Sequence, residues 1–261
     1  MSLLTRLALG LAAFALVLLI LAPLVGIVAG TDVASLMTAL QHPLVWPALT
    51  LSLLTTATSL ALILLFGTPL AWLLSQRSGP GWRALEALMH MPVVLPPAVA
   101  GLGLLLAFGR DGWLSGVLYP RGASLSLTTA AVVLAQTFVA APFYLQAATE
   151  AFRQLDPRLT LVAQTLGASP ARRFFSVVLP VSRSALVGGA ALSWARALGE
   201  FGATLIFAGS LSGRTQTLAL AIYAALEADV RVAQALSLVL VAVSLAVLVV
   251  VRLQPRATAG P

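Results

Sequence analysis

Six long apolar runs, at 7–29, 49–74, 93–108, 125–148, 185–208 and 232–251, recur along the chain and dominate what it can fold into. About twenty helical residues cross the ~30 Å hydrocarbon core of a bilayer. Lipid offers backbone N–H and C=O groups no partner, so each run must satisfy its own hydrogen bonds as a helix. The expected fold class is therefore an all-α polytopic membrane protein with six transmembrane helices. Composition agrees: 60% of the 261 residues are hydrophobic and only 9% charged, against about 25% charged in soluble domains. A water-soluble enzyme and a disordered chain are both excluded. The first run follows Arg6 and is longer than the core of a secretory signal, so it is expected to be retained as a span. The segment 88–97 holds Pro92, Pro96 and Pro97, so the third span is expected to start broken or kinked.

All 15 basic residues are arginine and the formal charge is +7. In a soluble protein that balance would suggest a nucleic-acid partner; here the arginines lie between apolar runs and set orientation, so no nucleic acid is expected. With the N-terminus inside, ten fall on the inner side: Arg6, Arg77, Arg83, Arg153, Arg158, Arg172, Arg173, Arg183, Arg252 and Arg256. Four fall outside, Arg110, Arg121, Arg214 and Arg231, while Arg196 lies within the fifth span. Both termini are thus expected in the cytoplasm. The chain has no cysteine, and His42 and His90 stand far apart, so neither a disulfide nor a metal site is expected.

The segment 150–184 is the longest hydrophilic stretch and carries five of the inner arginines. Asp156-Pro157 reads as an N-cap followed by proline in the first turn, with Leu159, Val162, Ala163 and Leu166 on one face. Gly167 is the expected stop. Ser169-Pro170 opens a second short helix through Phe174, Phe175 and Val178, closed by Pro180. A plain connection needs only a few residues, so this basic elbow is expected to dock onto something. An amphipathic helix resting on anionic lipid is the alternative.

At this elbow the sequence resembles the cytoplasmic EAA loop of ATP-binding-cassette importer permeases. In that pattern Glu-Ala-Ala, three residues and Gly are followed by nine residues, Ile, one residue and Leu-Pro. Ala163, Gly167, Leu179 and Pro180 match in register, Val177 stands for the Ile, and Leu161 and Val162 replace the Glu and the first Ala. Without that Glu, apolar packing with Arg172 and Arg173 would carry the docking. Met91-Pro92-Val93-Val94-Leu95-Pro96-Pro97, Arg196 through Thr204, Gly213 through Thr217 and Ile222-Tyr223 are similar to the molybdate branch, with sulfate and tungstate permeases close to it. The resemblance covers roughly 45–252 and implies a type I importer permease (MetI-like) architecture, with 1–261 as one permease domain and 150–184 as its coupling loop.

It further implies a homodimer in the inner (cytoplasmic) membrane of a bacterium or archaeon, with the path at the twofold axis. Two ATPase subunits would receive the elbows through Ala163, Gly167, Ala168, Arg172, Arg173, Val177, Leu179 and Pro180. A periplasmic or lipid-anchored molybdate-binding protein would deliver the oxyanion. ATP and Mg would be bound by the ATPase and no cofactor by this chain, which has no lysine for a phosphate-binding loop. Alternating access would then be driven from outside a non-catalytic permease. The alternatives are a sulfate/thiosulfate permease or an ion-coupled secondary transporter. The latter needs duplicated acidic sites near the midplane, and Glu200 has no counterpart in the first half.

Arg196 and Glu200, four residues apart within a span, can neutralise each other on one helix face. Ionisable groups at that depth usually face a partner or a water-filled path. They hold the path-lining helix or form a structural pair. Gly188, Gly189, Gly199 and Gly202 permit close packing. Gly202, Thr204 and the Pro96-Pro97 step are candidate gate surfaces. Trp46, Trp72, Trp82, Trp113 and Tyr119 fall near span ends as interfacial anchors. Outside, Asp111, Glu227 and Asp229 mix with the arginines. Arg214 and Asp229 are the candidates for binding-protein docking, beside the reading of a solvated loop face.

Overall fold

Ser2, at the head of the first apolar run, accepts a hydrogen bond from the Thr5 N–H and so caps helix α1 (Leu3–Ala29). The helices that follow are α2 (Val45–Gln76), α3 (Pro80–Val94), α4 (Pro97–Phe108), the one-turn α5 (Ser115–Leu118) and α6 (Thr129–Arg153). Next come α7 (Pro157–Thr165), α8 (Pro170–Arg173), a π turn (Phe174–Val178) and α9 (Leu179–Leu198). The last three are α10 (Gly202–Ala208), α11 (Leu218–Ala228) and α12 (Val230–Arg252). The computed structural model describes residues 2–30, 36–37, 40–118 and 124–252, and among them no strand occurs. Tyr119, Arg121 and Arg256 lie outside the described residues.

Five helical stretches are long and apolar enough to cross a membrane: Thr5–Ala29, Val45–Gln76, Thr129–Arg153, Pro170–Leu198 and Val230–Val247. The sixth span is the bent pair α3 and α4, which turn through 115° at their junction. The chain is thus all-helical with six spans counted this way. Helix α6 is the hub. It packs between α2 and α9, and its buried Ala140, Tyr144, Leu145, Ala148 and Phe152 form one cluster with Leu74, Val178 and Ala197. A second cluster joins α6 to α4 and α10, and a third joins α2, α11 and α12. Hydroxyls tie these helices where apolar surroundings supply little direction. Ser193 Oγ donates to the Ala140 carbonyl at 2.8 Å, Ser59 Oγ to the Val133 carbonyl at 3.0 Å, and Thr68 Oγ1 meets the Tyr144 hydroxyl at 2.6 Å. Helix α1 is apolar and exposed over residues 7–26 and touches α12.

Two spans differ from the sequence reading in their bounds. The third, expected at 93–108 with a broken or kinked start over 88–97, is broken there as expected, but its two helices begin earlier, at Pro80. Leu95 and Pro96 each precede a proline, whose ring disfavours the helical conformation in its predecessor, and they take ψ of 132° and 137°. Alone, the 12-residue α4 would be ~18 Å long, too short to cross. The fifth span, expected at 185–208, begins earlier, at Pro170, and ends at Leu198. Pro180 does not close a short helix as expected; the chain runs through it. The π turn just before it widens the backbone, the Leu179 N–H reaching the Phe174 carbonyl, which makes room for the proline ring.

Candidate functional site: the elbow and the paired helix breaks

The elbow is built by its caps. Asp156 Oδ1 accepts from the Arg158 N–H at 2.8 Å and Pro157 occupies the first turn of α7. Gly167 takes φ of 79°, a conformation that L side chains adopt only with strain, and turns the chain. Ser169 Oγ then accepts from the Arg172 N–H at 3.3 Å and starts α8. Arg173 Nη1 donates to Gln164 Oε1 at 3.0 Å and so ties α8 to α7. Phe174 anchors the elbow in the core, its ring centroid 5.6 Å from that of Trp72 and 6.1 Å from that of Phe152. Trp72, expected as an interfacial anchor, is thus part of this aromatic cluster.

The opposite face is bare. Leu161, Val162, Leu166 and Phe175 are exposed, Leu166 by 82% and Phe175 by 66%. Arg172, Gly167 and Pro180 are exposed beside them, while Ala163, Ala168, Arg173, Val177 and Leu179 are half-buried. The elbow therefore presents apolar side chains with arginine at the edge.

The second constellation is formed by two breaks in helices. Between α9 and α10, residues 199–201 leave the helical path. Arg196 Nη1 donates to Glu200 Oε2 at 2.8 Å, and Glu200 Oε1 accepts from the Ala203 N–H at 2.8 Å. Glu200 therefore does not share a helix face with Arg196, as expected from the four-residue spacing. It stands past the helix end, where its 1% exposed carboxylate both neutralises Arg196 and caps α10. The other break is Pro96-Pro97, with both prolines exposed. The fold brings the two breaks together: a Cβ on Gly202 would stand 2.5 Å from Pro97 Cβ, and one on Gly101 would meet Ile206 Cβ at 2.9 Å and Ala203 Cα at 3.0 Å. Thr204, two residues after Gly202, is fully buried. The four glycines singled out in the sequence divide: Gly202 and Gly189 are close approaches, the latter to Ala147 Cβ at 2.6 Å, while Gly188 has open space and Gly199 only ordinary contact.

Arg214 and Asp229 are exposed but are not brought together. They flank α11, whose 11 residues make it ~16 Å long. The Arg214 carbonyl accepts from Thr129 Oγ1 at 2.9 Å, and Asp229 Oδ1 accepts from the Arg231 N–H at 2.9 Å. Arg110, Asp111 and Glu227 are exposed too.

Two features escaped the sequence reading. Ser52, Thr55, Thr56 and Ser59 form a buried hydroxyl stripe on α2, and their i, i+3, i+4, i+7 spacing inside an apolar run was the available signal. Ser52 Oγ accepts from the Leu218 N–H at 2.7 Å and so caps α11, whose own Thr217 makes no cap bond. The other is an ion pair between Arg153 and Glu86, 67 residues apart, which no local pattern announces.

Residues 63–259 match the family described as "Binding-protein-dependent transport system inner membrane component". The chain is 44% identical over 216 residues to the molybdenum transport system permease protein ModB of Mycobacterium tuberculosis, covering 83% of this chain and 82% of that one. It is 38% identical over 178 residues to the molybdate/tungstate transport system permease protein WtpB of Thermococcus kodakarensis, covering 68% and 67%. Among solved structures, a bacterial transporter that imports the acidic polysaccharide alginate shares the fold at a TM-score of 0.77 and 14% identity, over 98% of this chain and 96% of that one.

Proposed function

The chain belongs to the binding-protein-dependent transport system inner membrane components, a multi-pass permease family, and from that membership we propose that it translocates molybdate or tungstate as part of an ATP-driven importer. The single observation that supports this substrate is the likeness to a molybdenum permease over four-fifths of both chains. The bare apolar elbow supports the energy source. A surface carrying Leu161, Val162, Leu166 and Phe175 matches a cleft on a separate ATPase, where ATP and Mg are bound; this chain binds no cofactor itself. Leu161, in the place of the acidic residue of the EAA pattern, makes that contact apolar, with Arg172 and Arg173 at its edge.

Two copies form the path. In each, Pro96, Pro97, Arg196, Glu200, Gly202 and Thr204 surround the paired breaks, the irregular backbone that is tolerated at membrane depth where it lines a cavity. Both termini lie in the cytoplasm, which puts the elbow on the ATPase side and Arg214 and Asp229 on the side of an oxyanion-binding protein. ATP binding draws the elbows together and turns the helices attached to them. The anion then passes without a tight site in the path, since release must stay fast.

Uptake of labelled molybdate by cells with and without the chain tests this reading. Uptake that needs the chain and is blocked by tungstate but not by sulfate is the expected result. Block by sulfate moves the protein to the sulfate permeases, and uptake independent of the chain refutes the substrate.

A further inference from the structure

Outside the elbow and the breaks, one ion pair among the described residues joins distant parts of the chain. Arg153, in the last turn of α6, donates from Nη1 to Glu86 Oε1 at 2.9 Å and from Nη2 to Glu86 Oε2 at 2.7 Å. Among the described residues the only other ion pair is Arg196–Glu200 at the break. A two-pronged guanidinium–carboxylate contact fixes orientation as well as distance. Beside it, α3 packs Trp82, Leu85 and Met89 on the core, with the Arg77 guanidinium 5.8 Å from the centre of the Trp82 ring.

The position of the pair gives it a use. Three residues after Arg153 the chain reaches Asp156, the cap of α7, so the arginine stands at the root of the elbow. At its other end α3 meets the Pro96-Pro97 step, and α4 beyond it rests on α10 at Gly101 and Gly202. The bent pair is thus held at the elbow by Glu86 and at the breaks by two glycine contacts. We propose that Glu86 and Arg153 are positioning residues that make the α3–α4 bend follow the elbow, so that elbow movement reaches the contact between Pro97 and Gly202. This rests on the elbow being the point where the ATPase acts.

The pair borders an open cavity of about 570 Å³ shared with Arg83, His90, Gln146 and Glu150. Its side chains are 39% and 26% exposed. Exposed ion pairs add little to stability, so removing this one leaves the protein folded while freeing α3 to slip against α6. The variants for the test are Glu86→Gln, Arg153→Gln and the exchange Glu86→Arg with Arg153→Glu, each in the complete transporter with its ATPase and binding protein in lipid vesicles. The single changes are expected to lower molybdate moved per ATP hydrolysed several-fold at unchanged hydrolysis, and the exchange to recover most of it. Equal loss of hydrolysis and transport, or an exchange no better than the single changes, overturns the proposal.

A second readout is independent of the substrate. The chain has no cysteine, so spin labels at Thr165→Cys on the elbow and Leu102→Cys on α4, in a labelled chain diluted with an excess of unlabelled chain in lipid, report the one distance within a copy. That distance distribution is expected to broaden with Glu86→Gln, and an unchanged distribution overturns the linkage. Failure of native uptake, with the broadening still observed, would refute the substrate reading alone.

Discussion

Gly202→Ala places a methyl group where the two helix breaks meet. The added Cβ would stand 2.5 Å from Pro97 Cβ, whereas carbon atoms in contact settle at about 3.5–4.0 Å. The breaks must therefore move apart by roughly an ångström or more. Neither side yields easily, because Pro97 is a fixed ring and Gly202 opens α10, whose next residue is held through the Ala203 N–H to Glu200. Overpacking of this kind costs about 1–3 kcal/mol, or roughly fivefold to 150-fold in the population of the packed arrangement. Gly103→Ala in the same α4 is the control, since its Cβ meets nothing within 4 Å, and helical Ala gains about 0.5–1 kcal/mol over Gly. Thermal unfolding of the purified protein and oxyanion uptake by cells are the assays. Gly202→Ala should lower both while Gly103→Ala lowers neither. Equal behaviour of the two variants would refute the close contact of the breaks.

Ser52→Ala strands the buried Leu218 N–H, now 2.7 Å from its acceptor, at about 1–3 kcal/mol; faster hydrogen exchange confined to the first turn of α11 is the expected sign. Glu200→Gln leaves Arg196 without its counter-charge, of order 3 kcal/mol. Thermal stability should fall and return in part when Arg196→Gln is added, and a double variant worse than the sum of the singles would sink this account. Leu166→Glu, at a residue 82% exposed, should leave folding intact and abolish co-purification with the ATPase. Retained co-purification would remove Leu166 from the docking face.

The elbow was legible because its signals are local. Asp156, Gly167 and Ser169 act on backbone groups within three residues, so a cap or a stop can be read from adjacent letters. Span count was legible for a similar reason, since hydropathy is a property of a segment. Where helices end inside the membrane was not. The run 185–208 is apolar enough to read as one helix, and the residues at its break, Gly199, Glu200 and Gly202, read from sequence as packing glycines and an ion-pair partner. The contact of Gly202 with Pro97, the Ser52 cap on α11 and the fork between Arg153 and Glu86 join residues 67 or more positions apart. Such contacts follow from packing, which a single sequence does not contain.

The break at Glu200 also explains how a carboxylate is tolerated there. Inside a continuous helix, Glu200 would have Arg196 as its one partner, and the charge would remain costly at membrane depth. Ending α9 at Leu198 frees the Ala203 N–H at the start of α10, and Glu200 Oε1 takes it while Oε2 keeps Arg196. Both oxygens are then engaged, as burial of a charge requires. The bond serves the backbone in return, because a helix start buried without an acceptor would leave its first N–H groups unpaired. Carboxylate and break are thus mutually dependent. Glu200→Gln keeps an amide oxygen for the Ala203 N–H and strands a guanidinium that is partly exposed, whereas Arg196→Gln strands the fully buried carboxylate. Arg196→Gln is therefore expected to lower thermal stability more than Glu200→Gln does, and the reverse order would refute the mutual dependence of carboxylate and break.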